Sequence, residues 1–157
     1  MLMEVNNSVF GEIEYNYAWA KCMPITFIGN VTEIDLMIDG EEDGVFDEGQ
    51  YVAYQSLIKN WEEVQISLLQ SILDYYRQRR CELGYDIGVR ESYPLVETTD
   101  QMLEMVSLDG IVVPYAHITE GREIGITFNC TWDIENGVGV RLLNEKVMEV
   151  GYQDIIF

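Results

Sequence analysis

Along the first forty residues, and again beyond residue 110, apolar side chains alternate with polar ones; in between they recur three and four positions apart. Alternation marks strands with one wet face, and the longer period marks amphipathic helices. Residues 9–15 read as a strand, Asn16 as a turn, and residues 17–23 as a second strand. Pro24 cannot donate to a ladder and predicts an interruption there. Residues 25–28 and 32–38 follow as two further strands around Gly29-Asn30, a two-residue connection suited to a tight hairpin. In the last strand Ile34, Leu36 and Ile38 share one face while Glu33, Asp35 and Met37 share the other. One side is therefore expected to be buried and the other acidic.

Asp47 stands where an N-cap belongs, ahead of a helix over 50–59, and Asn60 with Glu63 has the form of a capping box. These predict a break near Asn60 and a longer helix from residue 61 to about 83, closed by Gly84. Val64, Leu68, Ile72 and Tyr75, with Leu69, Leu73 and Tyr76, supply its apolar stripe. Arg77, Arg79 and Arg80 fall in its last turns, where cations suit the helix dipole. A loop through Pro94 leads to a third helix framed by Thr98 and Gln101. Strands return over 110–116, 123–132, 137–143 and 146–150, and Pro114 favours an edge position for the first of them. The expected architecture is a single α+β domain over residues 1–157, in the order β-β-β-β-α-α-α-β-β-β-β. Its sheet is expected to be mainly antiparallel, with the helices packed on one face.

Charge sharpens the picture. The 157 residues include 28 Asp+Glu against 9 Lys+Arg, a net charge of -19, with 48% hydrophobic residues. That hydrophobic share supports a core and argues against disorder. A phosphate backbone is repelled by such a surface, so nucleic acid is not an expected partner. No run nears the ~18 apolar residues that span a bilayer, and the start carries no leader pattern, so no membrane partner is expected. Cys22, Cys81 and Cys130 are odd in number and widely spaced, which predicts reduced, buried thiols and a cytoplasmic protein.

Residues 39–50 match the spacing of a calcium loop. Asp39, Glu41, Asp43 and Asp47 take its first, third, fifth and ninth positions, Gly44 its sixth, and the Val45 carbonyl its seventh. Gln50, at the twelfth, offers an amide in place of a bidentate carboxylate, and a strand precedes the loop. The competing reading is an acidic strand-to-helix connection. Any metal binding is expected to be weak, and no other cofactor is expected. His117 is the only histidine. A catalytic role would need a nucleophile and an orienting acid in reach, and a structural imidazole is the plainer reading. There is no G-x-S-x-G and no phosphate-binding glycine loop, so no catalytic residue is assigned and the protein is expected not to be an enzyme.

The run Trp132-Asp133-Ile134-Glu135-Asn136-Gly137-Val138-Gly139-Val140 reads as a strand, a turn at Asn136-Gly137 and a return strand. Trp132 is expected to anchor the base of the turn, with Asp133 and Glu135 projecting from its tip. Followed by Val150-Gly151-Tyr152-Gln153-Asp154, this run resembles the C-terminal signature of an uncharacterised family of small acidic bacterial proteins. In that family a W-x-x-E-H-G-x-G segment precedes a v-G-x-x-D close, so Asn136 stands in place of histidine. Asp47-Glu48-Gly49-Gln50-Tyr51 resembles its second landmark. The resemblance covers nearly the whole chain. It implies kinship with immunity proteins encoded beside polymorphic toxins, and it carries no catalytic residues.

From residue 31 to residue 50 the acids Glu33, Asp35, Asp39, Glu41, Glu42, Asp43, Asp47 and Glu48 stand without one basic residue. A concentrated negative face speeds encounter with a cationic partner and suppresses wrong ones. The leading expectation is a non-enzymatic domain that binds a basic protein, most concretely an immunity-type inhibitor of a basic toxin. Its partner-binding set is Glu33, Asp35, Glu41, Glu42, Asp43, Asp47, Glu48, Asp133 and Glu135. One alternative is a calcium-binding or calcium-stabilised domain using Asp39 to Asp47. Another is a protein without a specific partner, whose acidity serves solubility.

Overall fold

Four strands, three helices and four strands follow one another in a computed structural model, which describes residues 3–84, 93–116 and 120–157. The strands are β1 (Met3–Asn7), β2 (Gly11–Tyr15), β3 (Trp19–Phe27) and β4 (Asn30–Ile38), then β5 (Val106–Val113), β6 (Glu123–Cys130), β7 (Val138–Leu143) and β8 (Lys146–Gly151). The helices are α1 (Glu48–Lys59), α2 (Trp61–Glu82) and α3 (Thr99–Leu103); a 3-10 turn, Gln153–Ile156, ends the chain.

All eight strands lie in one sheet in chain order. Each neighbouring pair is antiparallel except β4 and β5, which run parallel from Asp35↔Gly110 to Ile38↔Val113. The expected mainly antiparallel sheet with helices on one face is therefore corrected to a mixed sheet. Nor do the helices form the expected layer: α1 meets β5 and β6, whereas α2 meets β8 and α3. Hairpins reverse the chain, but the excursion through three helices is long enough to return it to the end where β4 began, which permits a parallel pair. That junction also makes β5 central, not an edge strand. Pro114 lies just past its last residue and takes nothing from the ladder.

Two local expectations about the first meander fail. Pro24 does not interrupt β3, which pairs with β4 continuously from Trp19↔Ile38 to Phe27↔Asn30. The missed strand is β1, too short and mixed in pattern to stand out. The β3–β4 turn falls one residue early, on Ile28 and Gly29, with φ of 46° and 82°. A β-branched residue rarely accepts that conformation; Ile28 is held there by its N–H donating to the Gln65 side chain at 2.6 Å.

One face of the sheet builds the core. Ile34, Leu36 and Ile38 of β4 continue through Ile111 and Val113 of β5 to Ile126, Phe128 and Val140, and α2 adds Leu68, Ile72 and Tyr76. Phe10, Trp19, Phe46 and Tyr54 form an aromatic cluster at one side, and Tyr76 against Trp132 at 4.6 Å another. The opposite face carries Glu33 and Asp35 on β4. Further along, the same face is covered by the C-terminal 3-10 turn, where Ile156 packs against Gly125 and Gly139.

Candidate functional site

The acidic segment after β4 is fixed from beneath. Trp19, fully buried at the start of β3, donates its indole N–H to the Glu41 carbonyl at 2.7 Å, and its ring lies against Gly44, whose φ is 71°. Phe46 packs edge-on to Phe10 and Trp19. Gln50, only 1% exposed, donates from Nε2 to the carbonyls of Asp39 (2.7 Å) and Val113 (3.3 Å), and its Oε1 accepts from Asp47 N at 2.9 Å. This amide therefore clamps the segment to the β4–β5 junction. Trp19→Phe removes the indole donor and leaves space in the core, and should cost about 2–3 kcal/mol. It should also speed hydrogen exchange over residues 40–46 more than elsewhere, which an exchange measurement by mass spectrometry reads directly.

The carboxylates of the segment are spent one at a time. Asp43 Oδ1 accepts from Val45 N at 3.0 Å, Glu41 Oε1 from the Tyr115 hydroxyl at 3.0 Å, and Asp47 Oδ2 from Ala116 N at 3.3 Å. Asp39, Glu41, Asp43 and Asp47 are not brought to a common centre. Among the described residues no group of three or more His, Cys, Asp or Glu side chains converges to hold a metal. The residue at the twelfth position, Gln50, points into the fold. Burial pushes the Asp39 carboxyl above its ordinary range, against a smaller opposing effect of the Tyr115 backbone N–H. A raised folded value means that Asp39 favours the fold most below the ordinary carboxylate range, a contribution lost as pH rises through the raised value.

The candidate partner-binding set divides into three groups. Glu33 and Asp35 lie exposed on the second face of the sheet; Glu41, Glu42, Asp43 and Glu48 are exposed beyond the C-terminal end of β4, with Asp47 half-buried among them. Asp133 and Glu135 follow β6, which runs antiparallel to β5, so they stand at the opposite end. Asp133 is half-buried and accepts from the Asn136 backbone (3.2 Å) and side-chain amide (3.0 Å), which braces the turn and does not project from it.

Sequence reasoning missed the aromatic residues around the acidic end. Tyr17, 95% exposed at φ 72°, tips the β2–β3 turn beside the end of β4; Tyr15 packs on Trp19, and Tyr115 follows β5. Such amphipathic rings are favoured at protein interfaces. The Asn16-Tyr17 turn, an aromatic where small polar residues are usual, was the available signal. It also missed Glu4, Glu12 and Glu14, which share the second face with Asp35: Glu4 stands directly opposite Glu14, and Asn6 opposite Glu12.

The remaining candidates are structural or lie elsewhere. His117 is outside the described residues. Cys22 and Cys81 are exposed, not buried as expected, and only Cys130 sits in the core. The hydrogen bond from Cys22 to Asp35 (3.3 Å), together with that residue's charge, pushes its thiol up and keeps it protonated. Arg80 is buried, donating to Tyr93 O at 2.9 Å, and Arg79 reaches the Tyr152 hydroxyl at 3.0 Å. The runs 132–140 and 150–154 meet in space: Gln153 donates from its backbone to Asn136 O (3.0 Å) and from Nε2 to Phe128 O (2.7 Å). Gly137, at φ 60°, leaves the room for it. Asn136 thus acts through its backbone carbonyl on Gln153 and through its side-chain amide on Asp133. No described helix is long and apolar enough to cross a membrane.

Residues 9–157 match the family described as Domain of unknown function (DUF6985), and the chain belongs to that family. No curated protein and no solved structure matches the chain.

Proposed function

We propose that this member of the DUF6985 family is a non-enzymatic, cytoplasmic binding domain that recognises a basic protein through the acids at the C-terminal end of β4 and on the adjoining sheet face. The observation that carries the reading is how Glu33, Glu42 and Glu48 are left uncompensated. The cations of the described ion pairs are spent elsewhere: Arg79 on Glu82, Arg122 on Glu145, and Arg141 on Glu123 and Glu149. Glu33, Glu42 and Glu48 meet none of them, and like charges crowded on a rigid frame are relieved by a cationic partner. Tyr17 and Tyr115 add contact area beside them. Carboxylates individually engaged in local hydrogen bonds, and a Cys22 thiol held protonated, favour recognition over chemistry. The exposed thiols of Cys22 and Cys81 suit a reducing compartment.

In its most concrete form the domain is an immunity-type inhibitor, seated on the basic surface a nuclease-type toxin uses for phosphate. Pull-down from the native host, followed by binding measured from about 0.05 to 0.5 M salt, tests the reading; affinity should fall by roughly tenfold or more, because exposed charges are screened over that range. Glu33→Lys with Glu42→Lys should slow association while leaving the melting temperature little changed. A captured partner whose affinity ignores salt would remove the acidic face from the account, and solubility would then be the role left for the acidity.

A further inference from the structure

We propose that the cleft between β2 and β3 receives an extended, lysine- or arginine-bearing segment of the protein partner, laid alongside β3. This rests on the reading that the domain binds a basic protein, and it adds where the partner enters and in what form. β2 and β3 pair only through Glu14↔Ala20 and Tyr15↔Trp19. Beyond Ala20 they part, although β3 keeps its full ladder with β4 on the other side. Pro24, whose partner in that register would lie before the start of β2, offers no N–H to resume the pairing further on. Its unbroken pairing with Glu33 puts its ring nitrogen, which has no proton to give, on the β2 side. Further along, Trp61 Nε1 donates to Thr26 O at 2.7 Å and Gln65 takes the Ile28 N–H, so α2 closes that edge. The strand is open only across residues 21–25.

Beside this opening lies a pocket of about 470 Å³ lined from all three strands, by Glu4 and Asn6 of β1, Glu12 and Glu14 of β2 and Cys22 of β3, with Lys21 reaching to Gly11. Across residues 21–25 the open edge offers the backbone of Cys22 and the Pro24 carbonyl for strand-type hydrogen bonds. Alternate side chains of an added strand would point at the glutamates. Glu4 and Glu14 are directly opposed in the register, and like charges so placed destabilise a strand pair. An incoming cation relieves that repulsion; an acidic or neutral strand would not.

The test uses the full chain with Cys81→Ser, which leaves Cys22 as the exposed thiol, and a capped heptapeptide alternating lysine with threonine and valine. At low salt the peptide should shift backbone amide resonances of residues 11–14 and 20–25, and a bulky maleimide on Cys22 should abolish the shifts. Glu12→Gln with Glu14→Gln should weaken binding roughly tenfold, the scale of two exposed ion pairs, without lowering the melting temperature, because it also relieves the Glu4–Glu14 repulsion. The same peptide with glutamate for lysine should not bind. Shifts confined to residues 39–48 would overturn the cleft and leave the basic-partner reading standing. Absence of binding, or binding that survives the maleimide, would equally overturn the cleft, whereas the host pull-down decides the broader reading by itself.

Discussion

Gln50→Glu is expected to lower the melting temperature by about 10 °C, in millimolar calcium as in chelator. The amide it replaces is buried and donates to two backbone carbonyls, Asp39 O and Val113 O. A carboxylate in that place has no proton to offer and would face both oxygens without a cation. An unpaired buried charge of this kind costs about 3–5 kcal/mol. For a domain of this size about 1 kcal/mol moves the midpoint by roughly 2–4 °C. The deficit should be greatest at pH 7 and shrink toward pH 4, because a glutamate held there has its pKa raised and can donate again once protonated. Calorimetry across pH measures both effects. The substitution also completes the calcium-loop spacing. A midpoint restored by calcium would show the segment able to turn residue 50 outward, against the clamp described for Gln50.

Gly139→Ala should destabilise the full chain by about 2–3 kcal/mol and cost almost nothing in a chain ending at Gly151. A methyl at this position would stand 2.7 Å from Tyr152 O and 3.1 Å from the Gln153 α-carbon, both backbone atoms that cannot swing aside. The penalty therefore arises from the C-terminal segment and should vanish with it. A double-mutant cycle between the substitution and the truncation, read by urea denaturation, isolates that coupling. Equal destabilisation in both backgrounds would place the strain inside the sheet and refute the role given to the glycine.

What could be read from the chain was local. Thr98 and Gln101 frame the start of α3 reciprocally, and the apolar stripe of α2 fixed a helix that runs from Trp61 to Glu82. Caps and helical periods depend on residues within a few positions, so they survive without knowledge of the fold. The strand count hid two errors that cancelled, the missed β1 and the false break at Pro24. Whether a proline breaks a strand depends on which neighbour its nitrogen faces, and that is a property of the sheet. The same limit applied to the site. The acidic run from Glu33 to Glu48 was plain, but Tyr15, Tyr115, Glu4, Glu12 and Glu14 reach it from distant segments through strand order alone. The grouping of Asp133 and Glu135 with that run failed because β6 carries them to the far end.

The parallel junction of β4 with β5 also bears on how the molecule comes together in time. Each meander zips between sequence neighbours, whereas about 75 residues separate Asp35 from its partner Gly110, so closing the seam carries the largest loop entropy in the sheet. The two halves can order early and wait for one another, with the last ladder to form running through the middle of the finished protein.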